Sequence, residues 1–186
     1  MDTRTALLDS AERAARQRGF DAFSYADLAR DVGIRKASIH HHFPVKADLA
    51  FGLIERYCAR FADALRDIDS TSQTGAEKLR AYHQTYRSAL ADGSQLCLCV
   101  SMSAGRDSFA EPALEQLNQF HEDSTAWLTQ VIQQGITDGS VSGFSAPEAD
   151  AQATLALMEG AQLMARAASS LTPFDKATEV FLGKLA

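Results

Sequence analysis

A chain of 186 residues with 46% hydrophobic and 23% charged side chains can bury a proper core, and four prolines among long alanine- and leucine-rich stretches favour helices. No apolar run is long enough for a membrane span, and the charged stretch MDTRTALLDSAERAARQRG is not built as a secretory signal, so a cytoplasmic protein is expected. The net charge of −6 is uneven: residues 1–48 carry eight Lys/Arg against seven Asp/Glu, residues 49–186 ten against seventeen, so a polyanion is best received by the first quarter.

Leu7, Leu8, Ala11, Ala14 and Ala15 recur at helical spacing, which predicts a helix over Thr5–Arg18 stopped by Gly19. Ser24 followed by YAD gives S-x-x-D, a helix-start pattern, and predicts a second helix over Tyr25–Asp31 that ends at Gly33. In IRKASIHHHF, Ile39 and Phe43 stand four apart and share one face, while Lys36, Ser38, His40, His41 and His42 spread over the rest. Helix, glycine turn and short polar helix form a helix-turn-helix pattern, which Pro44 closes. Longer helices are expected over Lys46–Asp69, Glu77–Leu90, Ala113–Thr137, Glu148–Ser169 and Phe174–Leu185, with the apolar QLCLCVSMSAG as a short buried helix. The fold class is therefore all-α with about nine helices. A domain border is expected at Pro44–Lys46, dividing a helix-turn-helix domain, residues 1–46, from a larger body, residues 47–186.

Three consecutive histidines raise the question of metal. Successive helical residues are offset by about 100°, so His40, His41 and His42 fan apart and cannot converge on one ion. A helical zinc pair needs i, i+4 spacing, and the residues four away from these three include no ligand. No carboxylate stands near enough in sequence to work with them in acid–base chemistry. A helix that reads DNA asks for donors fanned toward phosphates and base edges with apolar residues behind, and this segment supplies them.

The segment GFDAFSYADLARDVGIRKASIHHHFPVKADL resembles the N-terminal signature of the TetR family of bacterial transcriptional repressors. The resemblance covers about residues 5–50 closely, and LALMEGAQLMARA agrees near the C-terminus. It implies that Ser24 and Tyr25 donate to phosphates, that Lys36, Ala37 and Ser38 approach base edges, that His40 and His41 meet bases or phosphates, that Lys46 meets a phosphate, and that Arg35 adds charge at the turn. Relatives carry Tyr-Tyr or Tyr-Trp where this chain has His40 and His41, which implies a changed phosphate contact and an affinity that depends on pH.

The resemblance further implies a ligand-binding and dimerisation body, a homodimer made by the last two helices, a palindromic double-stranded DNA operator and a small-molecule or electrophile inducer, with no cofactor, metal or membrane. Ala153, Ala156, Gly160, Ala161 and Ala165 would allow close approach across that dimer, or equally within one chain. Candidate pocket residues are Tyr57, Phe61, Tyr82, Tyr86, Met102, Phe120 and Trp127, all of which also suit a plain core.

GSQLCLCVSMSAGRDSF resembles the helix-6 region of electrophile- and oxidant-sensing repressors of this family, those that control N-ethylmaleimide reductase, and aligns their cysteine with Cys97. A reactive thiolate there would draw on positive potential from Arg106 or the helix start. Cys99 would lie about 200° around the helix. With Cys58 these make three cysteines, an odd number for which reduced thiols are the default.

Two other readings compete. An enzyme finds little support: GSVSG at 139–143 has Val141 where a nucleophile would stand, there is no phosphate-loop, H-E-x-x-H or C-x-x-C motif, and His83, Glu77, His121 and Glu122 form only isolated helical pairs. A helical interaction module without DNA binding is compatible with the acidic body.

Overall fold

The computed structural model describes residues 2–186. Among them are nine α-helices: α1 (Thr3–Arg18), α2 (Tyr25–Val32), α3 (Lys36–His42), α4 (Lys46–Thr71), α5 (Gly75–Ala89), α6 (Leu98–Ser103), α7 (Glu111–Asp138), α8 (Pro147–Ala168) and α9 (Thr172–Leu182). Short 3-10 turns occupy Phe20–Ala22 and Arg106–Ser108, and one antiparallel bridge joins Val141 to Leu185. The all-α architecture is the one the periodicities predict.

Where helix ends differ from those expectations, capping chemistry explains the difference. Thr74 accepts the Glu77 N–H at 3.2 Å, and the Glu77 carboxylate accepts the N–H groups of Gln73 and Thr74. This reciprocal cap starts α5 at Gly75 and holds the Glu77 carboxyl below the usual range through the Thr74 and Gln73 N–H groups. The apolar run expected to be helical over 95–105 yields only Leu98–Ser103. Ala91, Asp92 and Gly93 all take positive φ ahead of it, and a Cβ on Gly93 would stand 2.4 Å from the Ser170 nitrogen. The chain leaves that tight turn in non-helical geometry, and the Cys97 N–H goes to the Gln162 oxygen.

The described chain divides into two compact units, with borders inside α4, at the start of α6 and inside α7. The first contains the chain up to Arg60 together with Leu98–Gln119. Its core gathers Leu7, Leu8, Phe20, Leu28, Ile39, Phe43, Leu49 and Leu53, all buried. Beside it runs an ionic clamp between α1 and α4. Glu12, 7% exposed, lies 2.9 Å from Arg56, 2.6 Å from Arg60 and 3.7 Å from Arg16, while Arg56 also reaches Asp9 at 2.7 Å.

The second unit comprises Phe61–Cys97 and Phe120–Ala186. Arg87 on α5 grips Asp175 on α9 through two hydrogen bonds of 2.7 and 2.9 Å. His83 lies 2.9 Å from the Thr178 hydroxyl, whose own proton goes to the Phe174 carbonyl, so His83 donates from Nε2. Burial holds this imidazole below its ordinary range. At the start of α5, Gly75 approaches α7 so closely that a Cβ would stand 2.4 Å from the Gly135 Cα.

Two substitutions test this packing. Glu12→Gln removes the shared anion of three arginines and should cost about 1–3 kcal/mol in urea unfolding, between the values for exposed and buried pairs, with a smaller loss at high salt. Gly75→Ala forces backbone apart and should cost about 1–3 kcal/mol by the same measurement.

Candidate nucleic-acid interface and sensor cysteine

Helix α2 begins with a complete capping box. The Ser24 oxygen accepts the Asp27 N–H at 3.4 Å, and the Asp27 carboxylate accepts the Ser24 N–H at 2.9 Å and its hydroxyl at 2.8 Å. Those bonds from Ser24, with Arg30 alongside, lower the Asp27 carboxyl to about 2. The helix ends at Gly33 with φ +76°, where the Gly33 and Ile34 N–H groups both return to the Ala29 carbonyl. Only glycine takes this left-handed turn without cost, and it aims the chain into α3.

Helix α3 is seven residues long, and its N-cap residue, Arg35, makes no side-chain cap bond. Ile39 is 0% and Phe43 2% exposed, so the apolar pair read from the sequence does hold the rod from behind. Arg35, Lys36, Ala37, Ser38, His40 and His41 are all exposed. His40 Nδ1 lies 3.1 Å from the Pro44 carbonyl, which can only accept, so that nitrogen carries the proton. In the neutral ring Nε2 is then a lone pair. It becomes a donor only when the imidazole is protonated. His41 and His42 meet each other edge to face, and no group of metal-ligand residues large enough to hold an ion is assembled among the described residues.

Three residues expected at phosphates have internal partners. Tyr25 is buried, and its hydroxyl lies 2.9 Å from the Phe43 carbonyl and 2.8 Å from that of Val45, so its single proton serves the turn after α3. Burial, with the nearby Asp48 charge, pushes this phenol up to about 12. Lys46 Nζ donates to the Phe23 carbonyl at 3.0 Å, stands 3.8 Å from Asp21 and lies over the rings of Phe20 and Phe23. The Ser24 hydroxyl is exposed but engaged in its cap.

In the second unit, Cys97 is 2% exposed and sits just before α6 rather than within it. Its N–H donates to the Gln162 oxygen at 2.9 Å, and the Gln162 amide nitrogen donates to the Tyr86 carbonyl at 2.6 Å. Phe61, Tyr82, Tyr86, Phe120 and Trp127 form one aromatic cluster. Phe61 contacts both tyrosines and Phe120, while Trp127 stacks on Tyr82 at 5.4 Å. Tyr57 and Met102 belong to the first unit, Tyr57 half-buried and Met102 fully buried. Arg106 is exposed and opens a 3-10 turn. None of the three cysteines is in a disulfide.

Sequence reasoning missed Gln162, fully buried on α8, although a glutamine on the otherwise apolar stripe of Leu155, Met158 and Ala165 was a readable signal. It also missed Glu159 and Ser124. The small residues of α8 divide: Ala161 and Ala165 are buried, Ala153 and Ala156 exposed. Leu163, Met164 and Val180 leave large apolar side chains open on α8 and α9.

Comparison with known proteins agrees with this arrangement. The family model of bacterial regulatory proteins of the tetR family matches residues 7–53, and that of the tetracyclin repressor-like C-terminal domain matches residues 75–181. The HTH-type transcriptional repressor NemR of Escherichia coli K12 is 25% identical over 179 residues, which cover 95% of this chain and 90% of that protein. Among solved structures, a TetR-family regulator from Agrobacterium tumefaciens is 30% identical with a TM-score of 0.92, covering 98% of this chain and 97% of its own. The reduced form of E. coli NemR is 25% identical with a TM-score of 0.85, covering 100% and 98%. A helix-turn-helix with an exposed polar α3, joined in one chain to a body matched by the second family model, places this protein in the TetR family of transcriptional regulators.

Proposed function

We propose that the protein is a repressor that binds a palindromic double-stranded operator as a homodimer and is released by a small molecule or by modification of Cys97. Residues 1–46 form the reading domain and residues 47–186 the sensing and dimerisation domain. The observation that carries this reading is α3 itself: a short rod with its apolar side fully buried and Arg35, Lys36, Ala37, Ser38, His40 and His41 turned to solvent. Lys36 and Ser38 donate to base edges, and Arg35, His40 and His41 meet bases or phosphates. Ser24, Tyr25 and Lys46 lie beside this surface; engagement with phosphate requires them to share or exchange the carbonyl and carboxylate partners they hold.

Leu163, Met164 and Val180 support pairing through α8 and α9, because large apolar side chains left open on two neighbouring helices are commonly covered by a partner. The protein acts by binding alone, without a catalytic step. Similarity to NemR supports a sensing role for Cys97. Its burial means that only a small reagent, or a local opening of the turn before α6, brings thiol and electrophile together.

Fluorescence anisotropy with a palindrome from the region upstream of the protein's own gene tests the reading. Specific, salt-dependent binding is expected, with Lys36→Ala weakening it about tenfold. Absence of any preference over scrambled duplex would overturn it. N-ethylmaleimide should release the operator from the wild type and not from Cys97→Ser; release of both would remove Cys97 from the mechanism.

A further inference from the structure

A cleft of about 430 Å³ opens in the first unit, within the size range of small-molecule sites. Helix α4 supplies one wall: Asp48, Phe51, Gly52 and Glu55 stand at i, i+3, i+4 and i+7 and so share a face. The end of α3 contributes His42 and Phe43, α1 contributes Arg4, and the start of α7 contributes Pro112 and Ala113. The floor is apolar and closed, with Phe43 and Ala113 buried and Phe51 half-buried, whereas Arg4, Asp48 and Glu55 on the rim are open to solvent. Gly52 keeps the floor clear. A Cβ there would stand 3.4 Å from the Arg4 guanidinium and 3.4 Å from the Phe43 ring.

The charges on the rim alternate. Arg4 lies over the Phe43 ring at 5.4 Å and against α4 at Gly52, between the turns that carry Asp48 and Glu55. Neither carboxylate closes on it: among the described residues no ion pair joins Arg4 or Glu55 to another side chain, and Asp48 accepts the Val45 N–H at 3.1 Å through one oxygen. Negative, positive and negative groups therefore follow one another along the same wall, beside an apolar floor. A ligand with a cation alone brings it next to Arg4, and one with an anion alone brings it next to Asp48 and Glu55; like charges side by side are costly where water is partly excluded. A ligand bearing both signs on neighbouring atoms answers both.

We propose that this cleft binds a free α-amino acid with an aromatic side chain, taken as the zwitterion. Its carboxylate meets the Arg4 guanidinium, its ammonium meets Glu55, and its ring lies on the floor made by Phe43, Phe51 and Pro112. Asp48, with one oxygen committed to Val45, adds the field that disfavours an anion arriving without an ammonium. The occupant bridges the last residues of α3 and the first turns of α4. The site lies wholly within the first unit and does not include Cys97, so the inference goes beyond the operator and inducer reading and does not depend on it.

Calorimetry on the purified full-length protein, with three probes built on one phenyl-ethyl skeleton, tests it: L-phenylalanine (zwitterion), phenethylamine (cation) and 3-phenylpropionate (anion). Phenylalanine should bind about tenfold or more tightly than either single-charge probe, as expected when a hydrogen bond to a charged partner is gained at each end. Arg4→Gln should bring phenylalanine and phenethylamine to within about twofold of each other, and Glu55→Gln should do the same for phenylalanine and 3-phenylpropionate. Both side chains are exposed, so the melting temperature should hold. Free glycine, a zwitterion without a ring, should give no isotherm over the same range. Equal or tighter binding of a single-charge probe, a preference unchanged in either variant, glycine bound as tightly as phenylalanine, or no isotherm with phenylalanine would overturn the assignment. Operator binding measured on the same samples separates the two readings. A protein that binds phenylalanine but no operator refutes regulation alone, and one that binds operator but no phenylalanine refutes the ligand class alone.

Discussion

The burial of Ile39 and Phe43 is the constraint on which the reading surface depends. A seven-residue helix does not hold its shape in water, since nucleation fixes several residues for very few hydrogen bonds. Helix α3 also has no side-chain cap at its start. Two fully buried side chains four residues apart fix its rotation, so every residue off that stripe faces outward by default. The Tyr25 hydroxyl adds the other restraint by holding the carbonyls of Phe43 and Val45, where α3 gives way to α4. Tyr25 therefore steadies the backbone at the end of α3.

Charge in the first unit follows a division of labour that its near-zero balance conceals. Arg56 and Arg60 are drawn onto Glu12 and Asp9, Arg30 onto Asp27, and Arg13 onto Asp31. Lys46 is held by a carbonyl, a carboxylate and two ring faces. Arg35 and Lys36 lie exposed on α3, and no ion pair with either is among those described. Formal charge counts side chains equally, whereas a polyanion responds to those whose fields are not already compensated. A segment with a balance of only +1 is thus compatible with a positive reading face.

Legibility in the sequence tracked the range of the interaction. The capping box at Ser24, the stop at Gly33 and the Ile39–Phe43 stripe involve residues within four of each other, and each was readable. Tyr25 and Lys46 find their carbonyls 18 to 23 residues away, and a main-chain partner leaves no mark in the sequence. The row of small residues on α8 was ambiguous for a related reason: alanine permits close approach without saying by what, and the structure buries Ala161 and Ala165 within the chain while Ala153 and Ala156 face outward. Helix α6 is shorter than its apolar run, and ahead of it the Cys97 N–H goes to Gln162, 65 positions downstream, a partner that the run itself does not announce.

The interior of the second unit treats its polar atoms in two ways, and the contrast carries an argument about rigidity. Gln162 is fully satisfied: its oxygen holds the Cys97 N–H and its nitrogen the Tyr86 carbonyl, so backbone on either side of it is pinned without any ligand. One turn back on the same helix, Glu159 Oε1 is paired with His121 at 3.2 Å without a hydrogen bond, and the hydroxyls of the tyrosines on α5 have none either. Filling such atoms lowers the free energy of whichever conformation offers them to the occupant, and only a conformation-dependent gain can shift a two-state equilibrium. Gln162 cannot supply that gain, because its bonds are already made.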